Sequence, residues 1–148
     1  MNEHEQYMQA AIAQSRISIE SGNGATGCVI VKDGAILAEG HNEEFTRIDP
    51  TAHAEIVTIQ RLCKKLGTRD LHGLTLYSTL QPCGMCTAAC IWAGITTIVY
   101  GAERKDVASR LFDERHRDTA DFVADAFRKD ITVIPGVLER ECSALYRI

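Results

Sequence analysis

Two clusters of metal-ligating side chains each open a helix-patterned segment, and one strand-patterned segment lies between them. The first is "HAEIVTIQRLCKKLG" (53–67). It puts Ile56, Ile59, Leu62 and Cys63 on an apolar face, carries basic residues in its last turns and stops at Gly67. The second is "CGMCTAACIWAG" (83–94), which follows Pro82, a residue suited to a helix start, and closes at Gly94. Between them, "LTLYSTL" (74–80) reads as a strand. His53 and the cysteine pair each sit at a helix start and are expected to face each other across a sheet edge.

The flanking segments complete the architecture. Residues 3–20 read as an amphipathic helix with Met8, Ile12, Ser15 and Ile19 inward, and "SGNGATG" (21–27) breaks it. "CVIVKDGAILAEG" (28–40) is a hairpin turning at Asp33-Gly34. Residues 41–51 form a loop, 95–101 and 131–135 are strands, 106–129 is helical in one or two pieces, and 137–146 is a last short helix. A hairpin followed by alternating strands and helices implies a three-layer α/β/α sandwich around a mixed five-stranded sheet. The length of 148 residues suits a single domain over 1–148.

Cys83 and Cys86 are three apart, so their sulfurs share a helix face. In the first turn, free N–H groups and the helix dipole favour the thiolate, the form that binds metal. Two thiolates and the His53 imidazole make a zinc set, one Zn2+ per chain, with water or hydroxide as fourth ligand. An open fourth position marks a catalytic site. Glu55, two residues past His53, then stands as the proton carrier beside the metal-bound water. Two alternatives use Cys90: a closed four-ligand zinc site in a non-catalytic interaction module, and an iron–sulfur cluster on Cys83, Cys86 and Cys90. Cys28, Cys63, Cys90 and Cys142 otherwise read as small buried hydrophobes. His4, His41, His72 and His116 read as surface or loop residues, and Trp92 as core or substrate contact.

Sixteen basic and twenty acidic residues leave a net charge of −4, which argues against nucleic acid as a partner. The most charged stretch, 101–118, mixes both signs and reads as a solvated helix face. No long apolar run suggests a membrane span, and the polar "MNEHEQYMQA" start is unlike a signal peptide, so a cytoplasmic location is expected.

The pattern His-x-Glu followed by Pro-Cys-x-x-Cys resembles the signature of zinc nucleobase deaminases. Over about residues 5–145, and most sharply in 27–103, the chain resembles the cytidine-deaminase-like superfamily. The resemblance implies hydrolytic loss of an exocyclic amino group as ammonia, with Glu55 carrying protons. It implies that backbone N–H groups of Ala54 and Cys83 hold the reacting substituent and that Asn42 hydrogen-bonds the base. It also implies a homodimer. "GHNEEF" with 75–101 resembles fungal-type cytosine deaminases. "DPTAHAE" with "RLCKKLG" resembles bacterial guanine deaminases, and "DPTAHAE" with the tail "GVLERECSALY" resembles tRNA adenosine deaminases. Relatives usually have glutamate at the place of Gln81, and many have Pro-Phe-Gly where this chain has "ATG" (25–27). The expected substrate is a small heterocyclic amine, a free nucleobase or nucleoside, with cytosine-type ahead of guanine-type and tRNA adenosine as the alternative. Phe112, Asp113, His116 and Phe122 are candidates for a lid, the first two as substrate contacts.

Overall fold

The computed structural model describes residues 1–107 and 119–146. Five strands form one sheet in the order β2-β1-β3-β4-β5: β1 (Gly27–Lys32), β2 (Ala35–His41), β3 (Thr75–Leu80), β4 (Thr97–Ala102) and β5 (Thr132–Ile134). β1 pairs antiparallel with β2 and β3, whereas β3–β4 and β4–β5 are parallel. The mixed sheet expected from the sequence is the one observed. β1 and β2 join through Asp33 and Gly34, both with positive φ (48° and 78°), the conformation a two-residue hairpin loop demands.

Strand alternation sorts the core into two layers. Cys28, Ile30, Leu76 and Ile98 face one side, where they pack with Ala54, Leu62 and Cys90. Val29, Val31, Tyr77 and Val99 face the other and meet Met8, Ala11, Ile12 and Cys142. The first layer is covered by α3 (Ala54–Leu66) and α4 (Gly84–Ala93), the second by α1 (Glu3–Glu20) and α6 (Glu139–Ala144). The result is the expected α/β/α sandwich. Among the described residues no helix is long and apolar enough to cross a membrane.

Three local expectations are corrected. The loop 41–51 contains a short helix, α2 (Glu44–Arg47). In α1 the inward face is Met8, Ala11, Ile12, Ser15 and Ser18, while Ile19 is exposed. Ser18 is inside because its hydroxyl bonds the carbonyls of Gly24 and Asn42 and ties the helix end to the next loop. In α3 the buried set is Ala54, Glu55, Val57, Thr58 and Leu62, with Ile56, Ile59 and Cys63 only half-buried. The Thr58 hydroxyl satisfies itself on the Ala54 carbonyl at 2.7 Å, so a polar residue occupies the inward stripe at little cost. Of the segment 106–129, α5 spans Thr119–Ala124.

Candidate metal centre and active site

α3 and α4 both begin at the same end of the sheet, and their N-cap positions are His53 and Cys83. An N-cap is ordinarily a Ser, Thr, Asp or Asn that bonds its own helix. Here neither side chain does so, and both backbones are extended (φ −68°, ψ 155° and φ −72°, ψ 177°). The cap side chains are thereby released to meet each other. α5 braces the start of α4: the Thr119 hydroxyl donates to the Pro82 carbonyl at 3.2 Å. The Phe122 ring lies over Gly84, where an added Cβ would come within 2.7 Å of it.

His53, Cys83 and Cys86 bring one ligand atom each within 4.8 Å of one another. His53 Nδ1 stands 3.6 Å from Cys83 Sγ and 3.4 Å from Cys86 Sγ. Zinc bonds of about 2.3 Å to sulfur and about 2.0 Å to nitrogen, at a tetrahedral angle, separate S from N by roughly 3.5 Å. Both sulfur–nitrogen separations thus match a tetrahedral zinc, and the three residues form a potential zinc site. Cys90 does not join them: it is fully buried in the apolar layer under α4. All six cysteines are free.

Without metal the three groups hold each other's protons. The Cys86 thiol hydrogen-bonds Cys83, and this contact, reinforced by His53, pulls the Cys83 pKa down to about 3. The contact with Cys83 raises the His53 pKa to about 9. The same thiol contact pushes Cys86 up. One sulfur is therefore already a thiolate at neutral pH.

Glu55 is 3% exposed, and burial pushes its carboxyl above the usual range, with Cys86 and Ser78 opposing. Ser78 Oγ lies 2.9 Å from Glu55 Oε1 and 2.8 Å from the Leu80 carbonyl oxygen. A hydroxyl has one proton to give. With Glu55 ionised, Ser78 donates to it. With Glu55 protonated, the carboxyl donates to Ser78 and Ser78 to Leu80. This neighbour accommodates both protonation states of the carboxyl.

A cavity of about 370 Å³ opens onto these groups, with His53, Glu55 and Cys83 in its wall beside Asn42, Glu44 and Phe45. Asn42 is 8% exposed, and its side-chain oxygen accepts from the Glu44 backbone N–H at 2.9 Å. Ala54, fully buried, begins α3 at the same corner. The core reading of Trp92 is corrected: it is 78% exposed on α4, and the wall of this cavity does not include it. The inward positions around it are taken by Cys90, Ile91 and Ala93. Phe122 packs on Gly84 and is not a wall residue. Phe112, Asp113 and His116 lie outside the described residues.

Sequence reasoning missed several neighbours. Glu44 Oε1 lies 2.8 Å from His53 Nε2. Tyr146, from the far end of the chain, enters the cavity wall with its hydroxyl 2.9 Å from Thr26 Oγ1 and 3.3 Å from Thr79 Oγ1. Ser78 carried a usable signal, a polar residue at an inward position of a buried strand. Glu44 and Tyr146 carried none.

Residues 1–102 match the cytidine and deoxycytidylate deaminase zinc-binding region. The chain is 43% identical to the guanine deaminase of Bacillus subtilis over 112 residues, 75% of this chain and 72% of that one. It is 35% identical to the tRNA-specific adenosine deaminase of the same organism over 149 residues, covering 98% and 87%. The solved guanine deaminase of Nitrosomonas europaea superposes with a TM-score of 0.87 at 29% identity, over 97% of this chain and 82% of that one. Two expectations lose their support: none of these names is a cytosine deaminase, and tRNA-specific relatives bear on the argument that charge excludes nucleic acid. The zinc-spaced donors and the match over 1–102 together establish that this chain belongs to the cytidine and deoxycytidylate deaminase zinc-binding family, as a deaminase of the zinc type.

Proposed function

We propose that the chain hydrolytically removes the amino group of a free purine base or nucleoside, guanine-type, and releases ammonia. The observation that carries this is the carboxylate of Glu44 in the wall of a cavity of about 370 Å³. That volume is near the lower end of the roughly 300–1,000 Å³ typical of small-ligand pockets. A carboxylate there accepts from ring N–H and amino groups and repels a phosphate. The similarity to guanine deaminases supports the same choice.

Zinc bound at a three-ligand site supplies Lewis acidity and lowers the pKa of a water to about 7. The chain's own residues do the rest. Glu55 takes a proton on its carboxylate, keeps it in a buried site with Ser78 as partner, and passes it to the departing nitrogen. Asn42 orients the ring. Phe45 and Tyr146 border the base with aromatic surface. α4, which has no charged residue and leaves Met85 and Trp92 exposed on one stripe, pairs with a second copy of the chain.

A second reading, tRNA adenosine deamination, is favoured by one observation: the similarity to a tRNA-specific enzyme runs over 98% of this chain. Ammonia release from zinc-loaded protein given guanine, guanosine, adenine, cytosine and a tRNA anticodon hairpin separates the two. Turnover of guanine or guanosine is expected. Turnover of the hairpin alone selects the second reading, and turnover of cytosine alone overturns both.

A further inference from the structure

We infer that Glu44 is a positioning residue for the metal site: it fixes the tautomer and aim of His53 and ties that ligand to Asn42. A histidine binds metal through one nitrogen, and the hydrogen bond made by the other decides which one is free. In this chain His53 Nε2 is 2.8 Å from Glu44 Oε1. A carboxylate oxygen only accepts, so Nε2 carries the proton. Nδ1, the nitrogen 3.4 and 3.6 Å from the two sulfurs, is then the one that gives up its proton when metal binds.

The carboxylate is itself held. Asn42 Nδ2 donates to the same Oε1 at 3.1 Å, and Asn42 Oδ1 accepts from the Glu44 backbone N–H at 2.9 Å. The adjacent Glu43 faces away, paired with Arg47 at 2.8 Å and Arg61 at 3.1 Å. The short helix α2 therefore splits two neighbouring acids between two tasks. Glu43 anchors the helix to its surroundings, and Glu44 folds back over the site. One oxygen atom then couples a zinc ligand to a residue of the cavity wall, so disturbing Glu44 moves both.

Zinc affinity, measured by competition with a chromophoric chelator, tests this without reference to turnover. Glu44→Ala should weaken zinc binding about 10–100-fold, the usual loss for such an outer partner. Glu44→Gln keeps an acceptor oxygen and should recover most of it. Long-range 1H–15N spectra of the zinc-loaded protein should show His53 protonated at Nε2 in the wild type and in Glu44→Gln. Glu44 is about one-third exposed, so its removal should leave the fold intact, which circular dichroism of the metal-free variants checks. A zinc affinity for Glu44→Ala within twofold of wild type overturns the inference. So does a His53 protonated at Nδ1 in the wild-type spectrum.

Discussion

The two helix starts and the cavity rim are built in opposite ways. His53, Glu55, Cys83 and Cys86 sit in the first turns of α3 and α4, on a fully packed layer. Asn42, Glu44, Phe45 and Tyr146 come from a loop, a four-residue helix and the end of the chain, and Phe45 is 74% exposed. The reacting groups must hold tenths of an ångström, so they stand on regular elements. The rim must suit one substrate among many, and loops change without disturbing a core. A family sharing one chemistry and several substrates follows from that division.

If the division is right, substitutions at the helix starts abolish activity and those at the rim change substrate affinity, Glu44 excepted because it also holds the ligand His53. Cys86→Ser should have the largest effect, with zinc lost on desalting and activity lost with it; metal analysis beside an ammonia assay checks this. Cys90→Ser, one turn further on, should keep its zinc. Glu55→Gln should retain one zinc per chain while kcat falls about 10²–10⁴-fold, the range of a lost acid–base group. Gly84→Ala tests the brace on α4. Its Cβ would press the Phe122 ring, costing roughly 1–3 kcal/mol and lowering Tm by about 2–6 °C in a melting curve. The smallest effect belongs to the rim. Tyr146→Phe removes a hydroxyl bonded to Thr26 and Thr79, worth about 0.5–1.5 kcal/mol. It should raise KM about 2–10-fold with kcat nearly unchanged. A Tyr146 variant that lost kcat like Glu55→Gln would break the division.

The same contrast explains what could be read before the structure. The metal ligands were legible because their chemistry is local: a C-x-x-C at a helix start and a His opening another leave little choice of geometry. The sheet was legible because its strands alternate cleanly between two apolar layers. The rim was not. Glu44 beside Glu43 looks like ordinary loop charge, and only the turn of α2 sends one acid to His53 and the other to Arg47 and Arg61. Tyr146 meets Thr26 across 120 residues of chain, a contact no spacing rule reaches. Trp92 misled because α4 is apolar on every side, so composition does not say which face is buried. Ile19 misled through phase: the inward stripe of α1 ends on Ser18, whose hydroxyl reaches the Asn42 carbonyl 24 residues away.

The most direct measurement is zinc K-edge absorption fine structure on the zinc-loaded protein. Two sulfur neighbours at about 2.3 Å and two nitrogen or oxygen neighbours at about 2.0 Å are expected, for Cys83, Cys86, His53 and a solvent oxygen. Three sulfur neighbours would mean that Cys90 had been drawn in, closing the site and contradicting a catalytic metal centre with an open position.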